Sequence, residues 1–318
     1  MATVPPLRQE EIDRDLGLGS RVADDSSRRI LNRDGSFNVR RTGLPFYRTQ
    51  NFYHHLLTMT WIRFFLLIFA GFALMNLLFA FLYTLCGADA LHGSEAVTSA
   101  DRFLEAFFFS VQTSSTVGYG HLAPRGLAAN IIVSFEAVLG LLGFALATGL
   151  LFARFSRPSA RIKYSTHAVI APYRDGTGLM FRIANVRNSE LFEVNATVTL
   201  ARTERGPGGS AIRKFYPLAL ERTKVTFFPL HWVIVHPIDA TSPLAGATPE
   251  SLANEKTEIL ILLSGVEETF SQTVHSRSSY TYGEIHFGKK FADMFIASDH
   301  GIFGVDLRKI DQTEHINK

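Results

Sequence analysis

Two long apolar runs, 64–85 and 127–153, dominate the pattern of hydrophobic and polar positions along the chain. Each exceeds the roughly 20 residues that a helix needs to cross a bilayer, which predicts membrane spans over 62–85 and 127–154. Just upstream, in YRTQNFYHHLLTMTW, the residues Phe52, Tyr53, Leu56, Leu57 and Trp61 recur at helical spacing among polar neighbours. That pattern predicts an amphipathic helix lying in the membrane interface over 47–61. Residues 1–45 are polar and without periodicity, and read as a mobile tail. Between the spans, TSADRFLEAFFFSVQT opens on the helix-start residues Thr98 and Ser99, carries Asp101 in its first turn and ends strongly apolar. It is too short to cross, so the stretch 99–120 reads as a re-entrant helix followed by an irregular return. After Arg157-Pro158 the chain changes to short alternating runs with turn signals at Asp175-Gly176 and Gly206 to Gly209. This predicts an antiparallel β-sandwich over 158–318.

Composition and charge refine that picture. Hydrophobic residues make up 47% of the 318-residue chain, which suits a protein partly in lipid. Arg40, Arg41, Arg48 and Arg63 precede the first span, and Arg154, Arg157, Arg161 and Lys163 follow the second. The loop 87–100 holds Asp89 and Glu95 but no cation. Lys and Arg beside a span stay on the cytoplasmic side, so both termini are expected to be cytoplasmic. A net charge of +3 gives no reason to invoke nucleic acid. The single cysteine, Cys86, excludes an internal disulfide. The neighbouring His54 and His55 point about 100° apart on a helix and make no metal site. No nucleotide-binding glycine pattern, zinc-protease motif or nucleophile elbow is present, and the chain is not expected to be an enzyme.

The return segment contains TVGYG, Thr116 to Gly120. Irregular backbone at membrane depth is tolerated only where protein buries it or a wet cavity adjoins it, so these residues are expected to line a pore. Carbonyls of Thr116, Val117, Gly118 and Tyr119 can replace the water shell of K⁺. Gly118 and Gly120 permit the backbone angles this requires. Two spans cannot enclose a pore, and a ring of carbonyls around K⁺ implies four chains.

TSSTVGYG resembles the potassium-channel signature. Together with YHHLLTMTW, GLLFARFSRP, FRIANVRNSELFEV, HPIDATSPL and SRSSYTYGEI, it makes the chain similar to the inward-rectifier potassium channels, and most to their prokaryotic branch. The resemblance implies a homotetramer in the plasma (inner) membrane. It also implies a cytoplasmic immunoglobulin-like domain that extends the pore, and regulation by anionic phospholipid, phosphoinositides included, with its sign left open.

Phe144, Thr148, Phe152 and Phe155 recur along the second span at i, i+4 and i+3 spacing and mark one face as pore-lining. Phe152 is expected to form the gate, with Phe155 beside it, because clustered aromatic rings exclude water; the resemblance sets the bundle crossing there. Gly140 or Gly143 is the expected hinge, with close packing as the other reading. Glu136, the one acid inside the span, either supports the pore helix from behind or lends its field to the cavity, and the first is favoured. The family's cavity acid falls at Phe144. Its cytoplasmic-pore acids fall at Glu193 and Ser264, so strong rectification is not implied; a Glu behind its filter falls at Gln112, so the ion pair that would support the filter there is not implied. Arg154 and Arg157 leave the span at headgroup depth, and the resemblance adds Arg48 and Arg187 to the lipid site. Glu268 and Arg277 look like an ion pair inside the sandwich. The competing expectation is a membrane-anchored sandwich that binds a partner and carries a non-conducting pore region.

Overall fold

The computed structural model describes residues 29–39, 52–156, 160–186, 190–205, 211–296 and 304–316. They belong to two compact units, Thr42–Arg157 and the pairing of Met1–Arg41 with Pro158–Lys318.

The first unit runs α1 (Phe52–Thr58), α2 (Trp61–Leu85), β1 (Leu91–His92), α3 (Ser99–Ser114), β2 (Ala123–Pro124) and α4 (Gly126–Phe155). At about 1.5 Å per residue, α2 and α4 are both long enough to cross a bilayer, and both are apolar enough. The interfacial helix ends earlier than its pattern suggests, and residues 47–51 of that expected helix lie outside the described residues. It ends at Thr58, and Thr60, in an extended conformation, starts α2, so Trp61 belongs to the span. Ala80, Ala106 and Ala129 are buried where α2, α3 and α4 meet, beside Phe79, Tyr83 and Phe109. Small residues there let the helices approach closely where lipid offers no hydrophobic drive. Leu66, Phe69 and Leu74 on α2 stay exposed, as a lipid-facing surface would.

The second unit is a sandwich. One sheet has the order β11 (Gln272–Thr281), β10 (Glu258–Glu267), β6 (Leu191–Arg205), β7 (Ala211–Pro217), and β8 (Lys224–Phe227) also pairs with β6. The other has the order β12 (Ile285–Phe287), β4 (Ala168–Tyr173), β5 (Gly176–Asn185), β3 (Ile162–Tyr164), and β9 (His231–Ile238) pairs with β5. Strand β10 shows the two-residue period: Ile259, Ile261 and Leu263 are buried, while Leu262 between them is exposed. They meet Leu179, Phe181 and Ile183 of β5 and Ile234 of β9 in one core, each side chain contributing about 1.5–3 kcal/mol by burial. Among the described residues the sandwich is antiparallel with one exception, because β12 runs parallel to β4. Asp175-Gly176 does sit at a hairpin, whose tight turn has Arg174 at φ 51°. Gly206 to Gly209 fall outside the described residues, between the paired ends Arg205 and Ala211.

Part of the expected mobile tail is bound. Residues 29–39 turn back on themselves, with Leu31 bridged to Phe37. The buried Glu258 carboxylate accepts the Ile30 N–H at 3.0 Å, the Leu31 N–H at 3.1 Å and Arg213 Nη2 at 3.2 Å. Arg213 and Glu258 side chains are both 2% exposed, a desolvation cost that only such additional hydrogen bonds offset. Gly35, at φ 81°, lies so close to the Arg277 carbonyl that a Cβ would approach it to 2.9 Å. Arg277 stacks over Phe37 instead of pairing with Glu268, which lies in the turn between β10 and β11 and accepts from the Glu190 N–H. The expected ion pair is therefore not formed, and the buried one is Arg213–Glu258.

His167 stacks on His286, 4.5 Å between centroids, and on Phe291. Burial, and then the adjacent His286, holds the His167 imidazole below its ordinary 6.5, and burial followed by Lys289 lowers His286 likewise. A depressed folded-state pKa means that stability is complete above the unfolded value and is lost as pH falls below it. The unfolding temperature of the full chain is expected to drop as pH falls below about 6.5, and His286→Phe, which keeps the stack, should flatten that drop. Equal pH slopes in the two proteins would count against the stack as the cause.

Candidate functional site

The signature segment is built from α3 outward. Thr98 Oγ1 accepts the Asp101 N–H at 3.1 Å and Asp101 accepts the Thr98 N–H at 3.0 Å, a reciprocal cap that starts the helix where its first-turn acid predicts. At the other end the Thr116 N–H reaches the Thr113 carbonyl (3.0 Å), and the Val117 and Gly118 N–H groups both reach the Gln112 carbonyl (2.9 and 3.3 Å). The helix thereby grips the segment through its donors and leaves the segment's carbonyls to point elsewhere. Thr116, Gly118 and Gly120 have φ of 61°, 54° and 84°, and Val117 and Tyr119 between them do not share the positive sign. Such alternation turns successive carbonyls toward one side, and glycine accepts it without strain. A β-branched residue does not, so Thr116 stores backbone strain of about 1–3 kcal/mol, as residues at functional sites do.

The wall behind the segment is polar and buried. Glu136 on α4 has no exposed surface; the Tyr83 hydroxyl donates to it at 2.6 Å, and the Ser110 hydroxyl contacts its other oxygen. Ser110 and Ser114 hydroxyls each lie 2.8 Å from Asn76 Oδ1, and Asn76 Nδ2 donates to the Phe72 carbonyl at 2.7 Å. One network therefore joins α2, α3 and α4 directly behind the start of TVGYG. Of the two readings of Glu136, support for the pore helix is the one the contacts realise. Asn76 is a residue the sequence reading passed over, although a lone Asn inside a span was a sufficient signal.

Gly140 has a packing role. A Cβ there would meet the Ser114 carbonyl oxygen at 2.7 Å and its Cα at 2.9 Å, whereas Gly143 has nothing within 4 Å. The close approach of α4 to the end of α3 is what Gly140 permits, which leaves Gly143 as the hinge candidate. Beyond the segment, Leu91↔Pro124 and His92↔Ala123 pair, and the Arg125 N–H reaches the Ala90 carbonyl at 2.8 Å. This short ribbon clamps the chain on leaving Gly120. Gly93 makes it possible: its φ is 88°, and a Cβ would fall 2.1 Å from the His121 carbonyl.

Along α4, Phe144, Thr148 and Phe152 are exposed on the single chain, and Phe155 packs its ring 4.9 Å from Trp61. Phe155 is thus engaged with α2, and Phe152 is the free ring of the pair. Arg154 departs from expectation. It is 9% exposed, its Nη2 donates to the Met59 carbonyl at 2.7 Å, its Nη1 to the Leu56 carbonyl, and it stacks over Trp61 and Phe64. A guanidinium committed to the carbonyl end of α1 and to two rings is not presented to a lipid headgroup; it pins the interfacial helix to α4. Arg48, Arg157 and Arg187 lie outside the described residues.

In the sandwich, β6 bulges against β10 between the pairs Ser264↔Asn195 and Val266↔Phe192. The bulge holds Glu193 at φ 50° and brings the two expected acid positions, Glu193 and Ser264, to one place. Glu193 is not alone there, since Lys224 Nζ lies 2.8 Å from its carboxylate. Sequence spacing gave no hint of this pair, because the β6–β8 pairing that places Asn195 beside Lys224 is not local.

Comparison with known proteins agrees with this geometry. Residues 162–318 match the family of the inward rectifier potassium channel C-terminal domain, and residues 70–157 match a family described as ion channel. The chain is 40% identical over 285 residues to the inward rectifier potassium channel Kirbac3.1 of Paramagnetospirillum magnetotacticum, covering 89% of this chain and 95% of that protein. It is 32% identical to the mouse G protein-activated inward rectifier potassium channel 2 and 33% identical to the human channel 1 of the same name, each over 68% of this chain. It spans 53% and 45% of those two longer relatives. A re-entrant helix with an alternating TVGYG, two flanking spans, a β-sandwich and a full-length relative at this identity place the chain in the inward-rectifier potassium channel family.

Proposed function

We propose that four copies of the chain enclose a K⁺-selective pore whose filter is Thr116 to Gly120, with carbonyls of Thr116, Val117, Gly118 and Tyr119 replacing the ion's water. The observation that carries this is the alternation of φ along TVGYG, held from behind by the Gln112 carbonyl. Val117 and Tyr119 are exposed on the single chain and would pack against neighbouring copies as a cuff. Phe144 and Thr148 line the cavity, Gly143 allows α4 to bend, and Phe152 closes the exit by excluding water. The protein sits in the inner membrane with both termini cytoplasmic, in keeping with the cations that flank its spans.

Anionic phospholipid, phosphoinositides included, regulates the gate through Arg48, Arg157 and Arg187. Arg154 transmits the position of α1 to α4 through its hydrogen bonds to Leu56 and Met59. Rectification is weak. Phe144 provides no cavity acid, and Lys224 offsets the one acid, Glu193, that the cytoplasmic pore would offer to a polyvalent blocker.

Uptake of ⁸⁶Rb⁺ into liposomes holding the purified protein is expected to be displaced by K⁺, stopped by Ba²⁺ and indifferent to Na⁺. No flux from a tetrameric preparation under any lipid would overturn the reading. Phe152→Ala should raise open probability several-fold in bilayer recordings, and Phe155→Ala, which removes a ring packed on Trp61, should instead lower thermal stability. Lys224→Gln is expected to increase the potency of Mg²⁺ or spermine block several-fold from the cytoplasmic side, with Glu193→Gln abolishing the gain. An unchanged block in Lys224→Gln would show that the pair does not face the ion path.

A further inference from the structure

A cavity of about 240 Å³ lies where α2 ends, between that end, the loop after it and the first turns of α3. Its volume is below the roughly 300–1,000 Å³ of sites for drug-sized molecules, so it suits a small polar group rather than a whole organic ligand. Thr84, Ala88, Ser94, Ser99, Arg102 and Glu105 are among its lining residues. α2 is the length of a span and stops at Leu85, which sets the cavity at the headgroup depth of that leaflet.

The lining carries one charge of each sign, three residues apart on α3 and therefore on one face of the helix. The two do not pair. Arg102 Nη2 donates to Ser99 Oγ at 3.1 Å, and among the described residues no carboxylate forms an ion pair with that guanidinium. A guanidinium has five N–H donors, so most remain for a ligand. Glu105 accepts the Ser94 hydroxyl at 2.5 Å on one oxygen and the Glu95 N–H at 3.2 Å on the other. Each oxygen keeps a lone pair for a further donor. The loop is thereby fixed to α3 while the carboxylate stays able to accept from the cavity.

We propose that this cavity binds a phosphoethanolamine headgroup, its phosphate on Arg102 with the Ser99 hydroxyl and its ammonium on Glu105. The opposite charges of the ligand, two methylenes apart, match opposite charges on neighbouring turns of one helix. A choline headgroup fits less well, because a trimethylammonium has no N–H to donate to Glu105. A glycerol headgroup leaves Glu105 facing no cation. Occupation would bear on the filter, since the loop that closes the cavity continues into Leu91 and His92, which clamp the chain after Gly120.

The test uses the purified full chain in detergent, incubated in turn with dioleoyl phosphatidylethanolamine, phosphatidylcholine and phosphatidylglycerol. Retained lipid is counted by native mass spectrometry and the unfolding temperature is recorded. Phosphatidylethanolamine is expected to be retained several-fold over the other two and to raise the unfolding temperature. Arg102→Gln and Glu105→Gln should each bring its retention down to the phosphatidylcholine level. Ala88→Leu, which narrows the cavity and leaves both charges, should do the same, and it keeps the test open should Glu105→Gln loosen the loop. Soluble phosphoethanolamine forms a further arm: protection equal to that of the lipid assigns the free headgroup as the ligand, and protection only by the lipid assigns the membrane. Equal retention of the three lipids by the unmodified protein, or retention unmoved by Arg102→Gln and Ala88→Leu, would overturn the proposal.

Discussion

Backbone that leaves regular structure at membrane depth must have each polar group accounted for, and the membrane unit is organised around that requirement at TVGYG. The N–H groups of Thr116, Val117 and Gly118 are taken by the last carbonyls of α3. Among the described residues their carbonyls have no helical partners, a costly arrangement in hydrocarbon unless water or an ion meets them. Positive φ at Thr116, Gly118 and Gly120 would relax if the wall behind were soft. That wall is instead a buried polar network in which Glu136, Tyr83, Ser110, Asn76 and Ser114 leave few groups free to rearrange. Buried networks of this kind are strong when complete and costly when any member is missing, which suits a wall that must hold strained backbone in one shape.

The second helix of the pore carries two different jobs at its two ends. Near TVGYG it is locked, with Glu136 hydrogen-bonded and Gly140 pressed against Ser114. A Cβ at Gly143 would meet nothing within 4 Å, and the last turn is held by Arg154 and Phe155, which reach α1 and Trp61. Arg154 thus matters as a coupling between helices, through carbonyl hydrogen bonds and ring stacking that a lysine would reproduce poorly.

Membership of the inward-rectifier family sets the frame, and the departures within it give this chain its particular character. Phe144 and Ser264 stand where the family resemblance leads one to expect acids, and the acid at Glu193 is paired with Lys224. In the sandwich, the Glu258 carboxylate gathers Arg213 and the amides of Ile30 and Leu31, so that the segment 29–39 belongs to this unit although it precedes both spans.

Periodicity and local composition were enough to determine the two long apolar helices, the short helix between them with its Thr98–Asp101 cap, the irregular backbone of TVGYG and a sandwich after residue 157. These follow from interactions between residues a few positions apart, which a linear pattern displays directly. Charge beside the spans, read the same way, identified Arg154 as a membrane flank and could not tell that its guanidinium is turned inward. Tertiary structure alone decided the partners: Glu136 with Tyr83, 53 residues away, Glu193 with Lys224, 31 away, and Glu258 with Ile30, 228 away. It also decided that Gly140 packs, that Arg277 turns to Phe37 rather than Glu268, and that part of the polar tail is docked. The physical reason is one of range. A helix or strand is specified by its own residues, whereas the identity of a buried polar partner depends on which distant segment the packing of those elements brings within hydrogen-bond reach.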